Sequence, residues 1–292
     1  MKIMKIFSII ILFLLASFSF LPIIVSFGTS FMTLEESYKV PPKIFPTNPV
    51  LSNWIRLFSL EEITGELTET YEYGKEARSG RILIDNLFNS ILISLTTAFT
   101  SILISIPVVY ITIRFKFRGY SLIPLSALLI YMFPSIILIV PVYILDVNLG
   151  LIDTYVGLLI PYLILTVPFI VWFLRAYFIN FPWELEEAAL IDGCSRLRAL
   201  YEVILWLALP GLITAWLYAF VMAWGEFNFA LIITGSSTKT VPIKLLQFVQ
   251  QHHVNWPVLM AGCLIYSFPI IIIFYAIEKY FIAGLLTGSI KG

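Results

Sequence analysis

Six stretches of this chain contain no Asp, Glu, Lys or Arg: Ile6 to Leu34, Asn86 to Ile113, Gly119 to Leu145, Thr154 to Leu174, Val203 to Gly225 and Val254 to Ile277. A helix rises about 1.5 Å per residue and the hydrocarbon layer is about 30 Å thick, so roughly 20 apolar residues suffice to cross it. All six stretches are long enough. Within lipid only a helix or a closed barrel satisfies its own backbone hydrogen bonds, and these unbroken runs lack the alternating period of a barrel strand. The composition agrees, at 60% hydrophobic and 12% charged, against about 45–50% apolar in soluble domains. The predicted fold is therefore an all-α transmembrane bundle of six helices.

Lys2 and Lys5 before the first run give it the look of a signal peptide. Its apolar core outlasts the usual h-region of about 7–15 residues and no small-residue cleavage site closes it, so a retained helix is expected. Basic residues in short loops mark the cytoplasmic side. They fall before the first span (Lys2, Lys5), between the second and third (Arg114, Lys116, Arg118), between the fourth and fifth (Arg175, Arg196, Arg198) and after the sixth (Lys279, Lys291). Both termini are accordingly predicted to be cytoplasmic, with loops 35–85, 146–153 and 226–253 outside. The formal net charge is zero, which gives no field suited to nucleic acid. Cys194 falls in a predicted inner loop and Cys263 in the last span, an arrangement that speaks against a disulfide.

The organisation read from these features is an N-terminal transmembrane helix over 1–34, an extracytoplasmic loop over 35–85 and a five-helix core over 86–292. The loop opens with Pro41, Pro42, Pro46 and Pro49, an extended or turn-rich strap, and continues into an acidic stretch between 61 and 78. A short amphipathic helix is expected near Trp54 to Phe58. Too few apolar residues are present for an independent core. Pro107, Pro134, Pro141, Pro161, Pro168 and Pro269 lie in or near spans and predict kinks. No repeat relates the first three spans to the last three, which argues against a self-sufficient secondary transporter built from inverted halves.

Between Arg175 and Val203 the chain holds five acids and three bases. Pro182 suits a first helical position, and Glu184, Glu186 and Glu187 fall where the helix dipole favours carboxylates. A short helix to about Asp192 is predicted, ended by Gly193 in the left-handed conformation. Ala188 and Ala189 give it a low-profile face. The acidic excess suits a docking surface for a basic partner; it equally suits a helix lying on the lipid interface, and residue types alone leave both open.

Glu187-Ala188-Ala189, then Gly193, then a hydrophobic stretch ending Leu209-Pro210 resembles the signature of inner-membrane permease subunits of ATP-binding-cassette importers, in the group that uses a separate extracytoplasmic binding protein. The resemblance is nearest to the maltose/trehalose-type branch. It extends to Asn53-Trp54, Asn89-Ser90, the Arg114 to Gly119 segment, Trp224 with Glu226, and the ending Ala283 to Gly292. Gly225 departs from the Asn common between that Trp and Glu, and the acidic stretch is longer than usual.

The resemblance implies a type I importer permease fold with a coupling helix near 183–193 that lies in a cleft of a cytoplasmic ATPase subunit. Glu187, Ala188, Ala189, Asp192, Gly193, Leu209 and Pro210 are the residues implied in coupling. Thr287, Gly288, Lys291 and Gly292 are implied in a tail that reaches between the ATPase subunits. The implied partners are a second homologous permease, two ATPase subunits that use ATP and Mg, a sugar-binding protein outside and membrane lipid, with no nucleic acid. The implied location is the plasma (inner) membrane.

Tyr218, Glu226 and Asn228 are candidate pathway residues, although polar side chains in membrane helices commonly bond across the bundle. His252 and His253 are adjacent, face different directions on a helix and have no nearby acid or thiol, so no metal site is assigned. The chain contains no H-E-x-x-H, G-x-S-x-G or phosphate-cradling G-x-x-x-x-G-K-S/T sequence, so no catalytic residue and no bound cofactor are assigned; ATP is left to a partner. A six-span channel or secondary transporter acting as a homo-oligomer is the alternative.

Overall fold

Long apolar runs become helices because each backbone N–H and C=O then pairs within its own segment. The computed structural model describes residues 2–58, 83–115, 117–179, 181–249 and 254–289, with side chains described from residue 7 to 278. The helices in chain order are α1 (Lys2–Ser30), α2 (Leu34–Ser37), α3 (Ser52–Phe58), α4 (Ile84–Arg114), α5 (Leu122–Met132), α6 (Ser135–Leu149), α7 (Tyr155–Ile179), α8 (Glu184–Ile191) and α9 (Arg196–Ala199). A π-helical turn (Leu200–Ile204) follows, then α10 (Leu205–Leu207), α11 (Leu209–Trp224), α12 (Asn228–Ile233), α13 (Val241–Leu246) and α14 (Trp256–Ser289). Among the described residues the only β-pairing is an isolated bridge between Val249 and Val254. The acidic stretch 61–78 and His252-His253 lie outside the described residues.

Among the described residues four helices are long and apolar enough to cross a membrane, or six if each of two bent pairs counts as one span. The first bend falls at Pro134, one of the expected kinks; the second falls where none was expected. The third predicted span folds back by 97° between α5 and α6. Pro134 lacks an N–H and forces Phe133 out of the helical region, to ψ 131°. The fifth bends by 79° between α10 and α11, where Ala208 takes ψ 0° and Pro210 opens the next helix.

The chain divides into two compact units. The first comprises residues 1–87 and 241–269. Its α1 is long and apolar enough to cross a membrane, and none of its most apolar window is buried. Asn53 of α3 is buried, and its Nδ2 donates to the carbonyls of Ser30 and Met32 at 2.9 and 2.8 Å, tying the predicted strap to the end of α1. The Tyr38 hydroxyl holds Val254 from both sides, donating to its C=O at 2.8 Å and accepting from its N–H at 2.9 Å. The strap buries Leu57 with Leu83, Val241, Leu245, Val258 and Ala261. It borrows a core from α13 and α14.

The second unit comprises residues 88–240 and 270–292. In it α7 packs against α5, α6, α11 and α12, and α4 presents a buried row of small polar residues, Ser90, Ser94, Thr97, Ser101 and Ser105. Small side chains let membrane helices approach closely and bond across the interface, as Ser101 does to Thr166 of α7 at 2.7 Å. Near the start of α4, Asn89 donates to the carbonyls of Ser237 and Lys239 at 3.0 and 3.1 Å and accepts from the Tyr155 hydroxyl at 2.6 Å.

At the same end Asp153, at φ 57°, gathers the 235–238 loop. Its Oδ1 accepts from the N–H groups of Gly235 and Thr238 (both 2.9 Å) and from the Thr238 hydroxyl (2.8 Å); its Oδ2 accepts from the Ser237 N–H at 3.1 Å. Burial alone would raise this carboxyl, but the donated hydrogen bonds outweigh it and hold the group at about 2. Gly235 is required by this approach, because a Cβ there would stand 2.6 Å from Oδ2 of Asp153. Asp146, expected in a loop, falls instead in the last turn of α6 and is fully buried.

Candidate functional site

The other end of α4 meets the short helix α8, predicted from Glu184, Glu186 and Glu187. Pro182 sits just before α8 and not inside it: its C=O accepts from the Leu185 N–H at 3.2 Å, a tight entry turn. The C-terminus is a Schellman turn. The Cys194 N–H reaches the Ala189 carbonyl at 3.0 Å and the Gly193 N–H reaches that of Leu190 at 3.1 Å, with Gly193 at φ 89°. The left-handed conformation read from the sequence at Gly193 is the one found.

The three carboxylates of α8 have different fates. Glu184 and Glu187 are exposed, the latter with 62% of its side chain open. Glu186 is completely buried. Its Oε1 accepts from the Tyr110 hydroxyl at 2.5 Å, and its Oε2 lies 2.6 Å from Nε of Arg114. The Arg114 N–H is not aligned on that oxygen, so the contact is an ion pair and not a regular hydrogen bond. Arg196 Nη1 stands 4.0 Å from Oε1.

Aromatic rings enclose these charges. The Arg114 guanidinium lies 5.0 Å from the centre of the Trp183 ring and that of Arg196 lies 5.3 Å from Phe115, both favourable placements for a cation over a π face. Removing one member of such a buried pair leaves an uncompensated charge, at a cost of about 3–5 kcal/mol.

Glu186 belongs to no motif in the sequence reading, which singled out Glu187. The sequence signal was the Arg114 and Arg196 pair flanking separate spans, but nothing in residue type told which of three adjacent acids they would meet. The Ala188-Ala189 pair also splits: Ala189 is buried against the chain's own body and Ala188 is exposed. The open face of α8 and its exit thus combines Glu184, Glu187 and Asp192 with apolar Leu185, Ile191 and Leu197, of which Ile191 is 85% exposed. Leu209 and Pro210 stand at the start of α11, immediately after the 79° bend.

The remaining candidates are dispersed. Glu226, at the boundary of the fifth predicted span, is buried and caps α12, accepting from the N–H groups of Phe229 and Ala230 at 2.9 and 3.1 Å. Asn228 opens α12 and is exposed. Tyr218 of α11 stacks on Phe169 of α7 with ring centres 3.8 Å apart, and its hydroxyl bonds that of Tyr131 on α5 at 3.2 Å. Tyr131 and Phe169 line a cavity of about 230 Å³ with Leu128 and Trp172. Thr287 and Gly288 lie on the backbone of α14; Lys291 and Gly292 lie outside the described residues.

From Asn89 to Tyr110 is roughly 20 residues, about 30 Å of helix, so α4 holds the Asp153 clasp and the Glu186 cluster a hydrocarbon layer apart. Apolar helices of crossing length, fixed by polar clusters at either end and exposing a short acidic helix at one of them, define a multi-pass membrane protein. The chain belongs to the family of binding-protein-dependent transport system inner membrane components, which matches residues 79–286.

It is 32% identical over 208 residues to the trehalose/maltose transport system permease protein MalG of Thermococcus litoralis, covering 70% of this chain and 75% of that one. It is 34% identical over 254 residues to the trehalose transport system permease protein SugB of Mycobacterium tuberculosis, covering 84% and 92%. A chain from the crystal structure of a bacterial ABC transporter involved in the import of the acidic polysaccharide alginate shares the fold, with a TM-score of 0.75 at 21% identity over 96% of this chain and 97% of that one.

Proposed function

We propose that this chain is a transmembrane permease subunit of an ATP-driven, binding-protein-dependent importer for a sugar of the maltose or trehalose kind, or another mono- or oligosaccharide. Its similarity to trehalose and maltose permeases supports the substrate class. Each bent helix pair is taken as one span, giving six. The distribution of Lys and Arg supports cytoplasmic termini and an inner-membrane location. On this reading α8 is the coupling helix, and a second permease completes the translocation pathway. Two ATPase subunits, using ATP and Mg, dock beneath, and a sugar-binding protein delivers cargo at the end fastened by Asp153. The cavity beside Tyr218 lies along the proposed pathway.

The observation that carries the reading is the open face of α8, acidic and apolar together, in a chain of this family. ATP binding closes the ATPase pair, α8 transmits the movement to the spans, and access alternates. Such a switch needs two states within a few kcal/mol of each other and ligands that favour one of them.

Glu187→Lys tests this. Its side chain is mostly solvated and its contact with Arg114 is 3.5 Å, so the folding cost is under about 1 kcal/mol. The complex should assemble weakly or hydrolyse ATP without uptake. Normal stimulation of ATP hydrolysis by the sugar-loaded binding protein would count against the docking role.

A further inference from the structure

We propose that Glu186 is a positioning residue that locks α8 to the C-terminal end of α4, so that the two helices move as one lever while α11 follows through a compliant joint. The proposal rests on the reading of α8 as the coupling helix; what it adds is where the movement goes next.

The lock is built from three sides. Tyr110 and Arg114, one turn apart on α4, take one carboxylate oxygen each, at 2.5 and 2.6 Å. Arg196, at the start of α9, adds a second positive charge 4.0 Å away. Trp183 and Phe115 cover the two guanidinium groups, and the Tyr110 ring stands 6.2 Å from Phe115 and 6.3 Å from Trp183, edge-on to the former. Water is excluded from Glu186 altogether, at 0% exposure. In such surroundings each electrostatic contact is stronger than in water, and loosening one leaves the others uncompensated. The joint is therefore closed as a unit or open as a unit, and it resists partial displacement.

The route from α8 to α11 is built differently. It passes through the Gly193 turn, the π-helical turn at Leu200–Ile204 and the 79° break at Ala208. Each interrupts the regular i to i−4 ladder, and such interruptions are where helices bend. Beyond Arg196, which meets Glu186 at 4.0 Å, the stretch carries the exposed Arg198–Glu202 pair at 2.9 Å, and exposed pairs of that kind hold weakly. A push on α8 reaches α4 rigidly and α11 after a delay in angle.

The test uses the complex purified with the ATPase subunits that accompany it, with the free thiols Cys194 and Cys263 changed to Ser. Spin labels at Arg118→Cys, four residues beyond the end of α4, and at Glu184→Cys report the distance between that end and α8; labels at Glu184→Cys and Val221→Cys report α8–α11. Pulsed EPR with and without trapped ATP should show the first distance constant and the second shifted. Glu186→Gln should retain ATP hydrolysis but lower sugar transported per ATP by about tenfold, and broaden the 118–184 distribution. Tyr110→Phe, which removes only a hydroxyl, should give a smaller loss of the same ratio.

A merely structural Glu186 would reduce the amount of complex and leave the ratio alone, and that result overturns the lever. So does a 118–184 distance that changes as much as the 184–221 distance. If Glu186→Gln fails to assemble, the wild-type distances still decide. Absence of any ATP-hydrolysing companion overturns the reading of α8 first, and the lever with it.

Discussion

Changing Asp153 to Asn removes one charge and disturbs little else. Asn is among the few residues that tolerate a positive φ, so the backbone at φ 57° is preserved. The amide oxygen keeps the three donors that meet Oδ1, while the new NH2 faces the Ser237 N–H, donor against donor across 3.1 Å. A hydrogen bond to a charged acceptor contributes about 1.5–3 kcal/mol and one between neutral groups about 0.5–1.5 kcal/mol. Weakening three by about 1 kcal/mol each and losing a fourth worth about 2 kcal/mol gives about 5 kcal/mol, reduced to about 2 kcal/mol because the site is partly solvated and water replaces part of what is lost. That is about a 30-fold change in the local opening equilibrium. Hydrogen exchange followed by mass spectrometry should show the amides of Gly235, Ser237 and Thr238 exchanging about 30-fold faster, with the middle of α7 unchanged. Unaltered protection of these amides would refute the clasp as the source of order at this end.

The same carboxyl sets a pH response. Its folded value of about 2 lies below the ordinary 3.8, so its stabilisation is fully present above 3.8 and is lost as pH falls from there through about 2. Protection of the 235–238 amides, corrected for intrinsic exchange, should be flat from about pH 8 to 5 and fall below about pH 4, with no such fall in Asp153→Asn. Gly193→Ala meets open space but a φ of 89°, so it should lower stability by about 1–2 kcal/mol, read as a lower unfolding midpoint, and Gly193→Asn should recover part of the loss. Deleting the last eight residues should alter ATPase coupling in reconstituted vesicles while insertion into the membrane stays intact.

Helix positions were legible because apolar length and backbone pairing in lipid leave few choices, and α3 and the Gly193 turn were legible because local chemistry determines them. The bends at Phe133 and Ala208 were not. An apolar run reads the same whether the chain continues or folds back; Pro134 predicts a kink without its angle, and Pro210 was read only as the end of the motif. Among Glu184, Glu186 and Glu187 the helix dipole favours all alike; only packing against Tyr110 and Arg114, remote in sequence, and against Arg196 beyond the Gly193 turn sets one of them inward. Glu226 and Asp153 hid their roles similarly. Both stand at the ends of predicted spans; Glu226 is claimed by N–H groups three and four residues on, and Asp153 by backbone more than 80 residues away whose position no side-chain pattern encodes.

The central claim is that α8 receives work from a nucleotide-driven partner. Sugar uptake into sealed vesicles containing the purified complex, with loaded binding protein outside and ATP supplied or withheld inside, tests it most directly. Accumulation against a gradient only when ATP and the ATPase subunits are both present is the predicted result. Uphill accumulation by this chain with no nucleotide-hydrolysing subunit in the vesicle would contradict it.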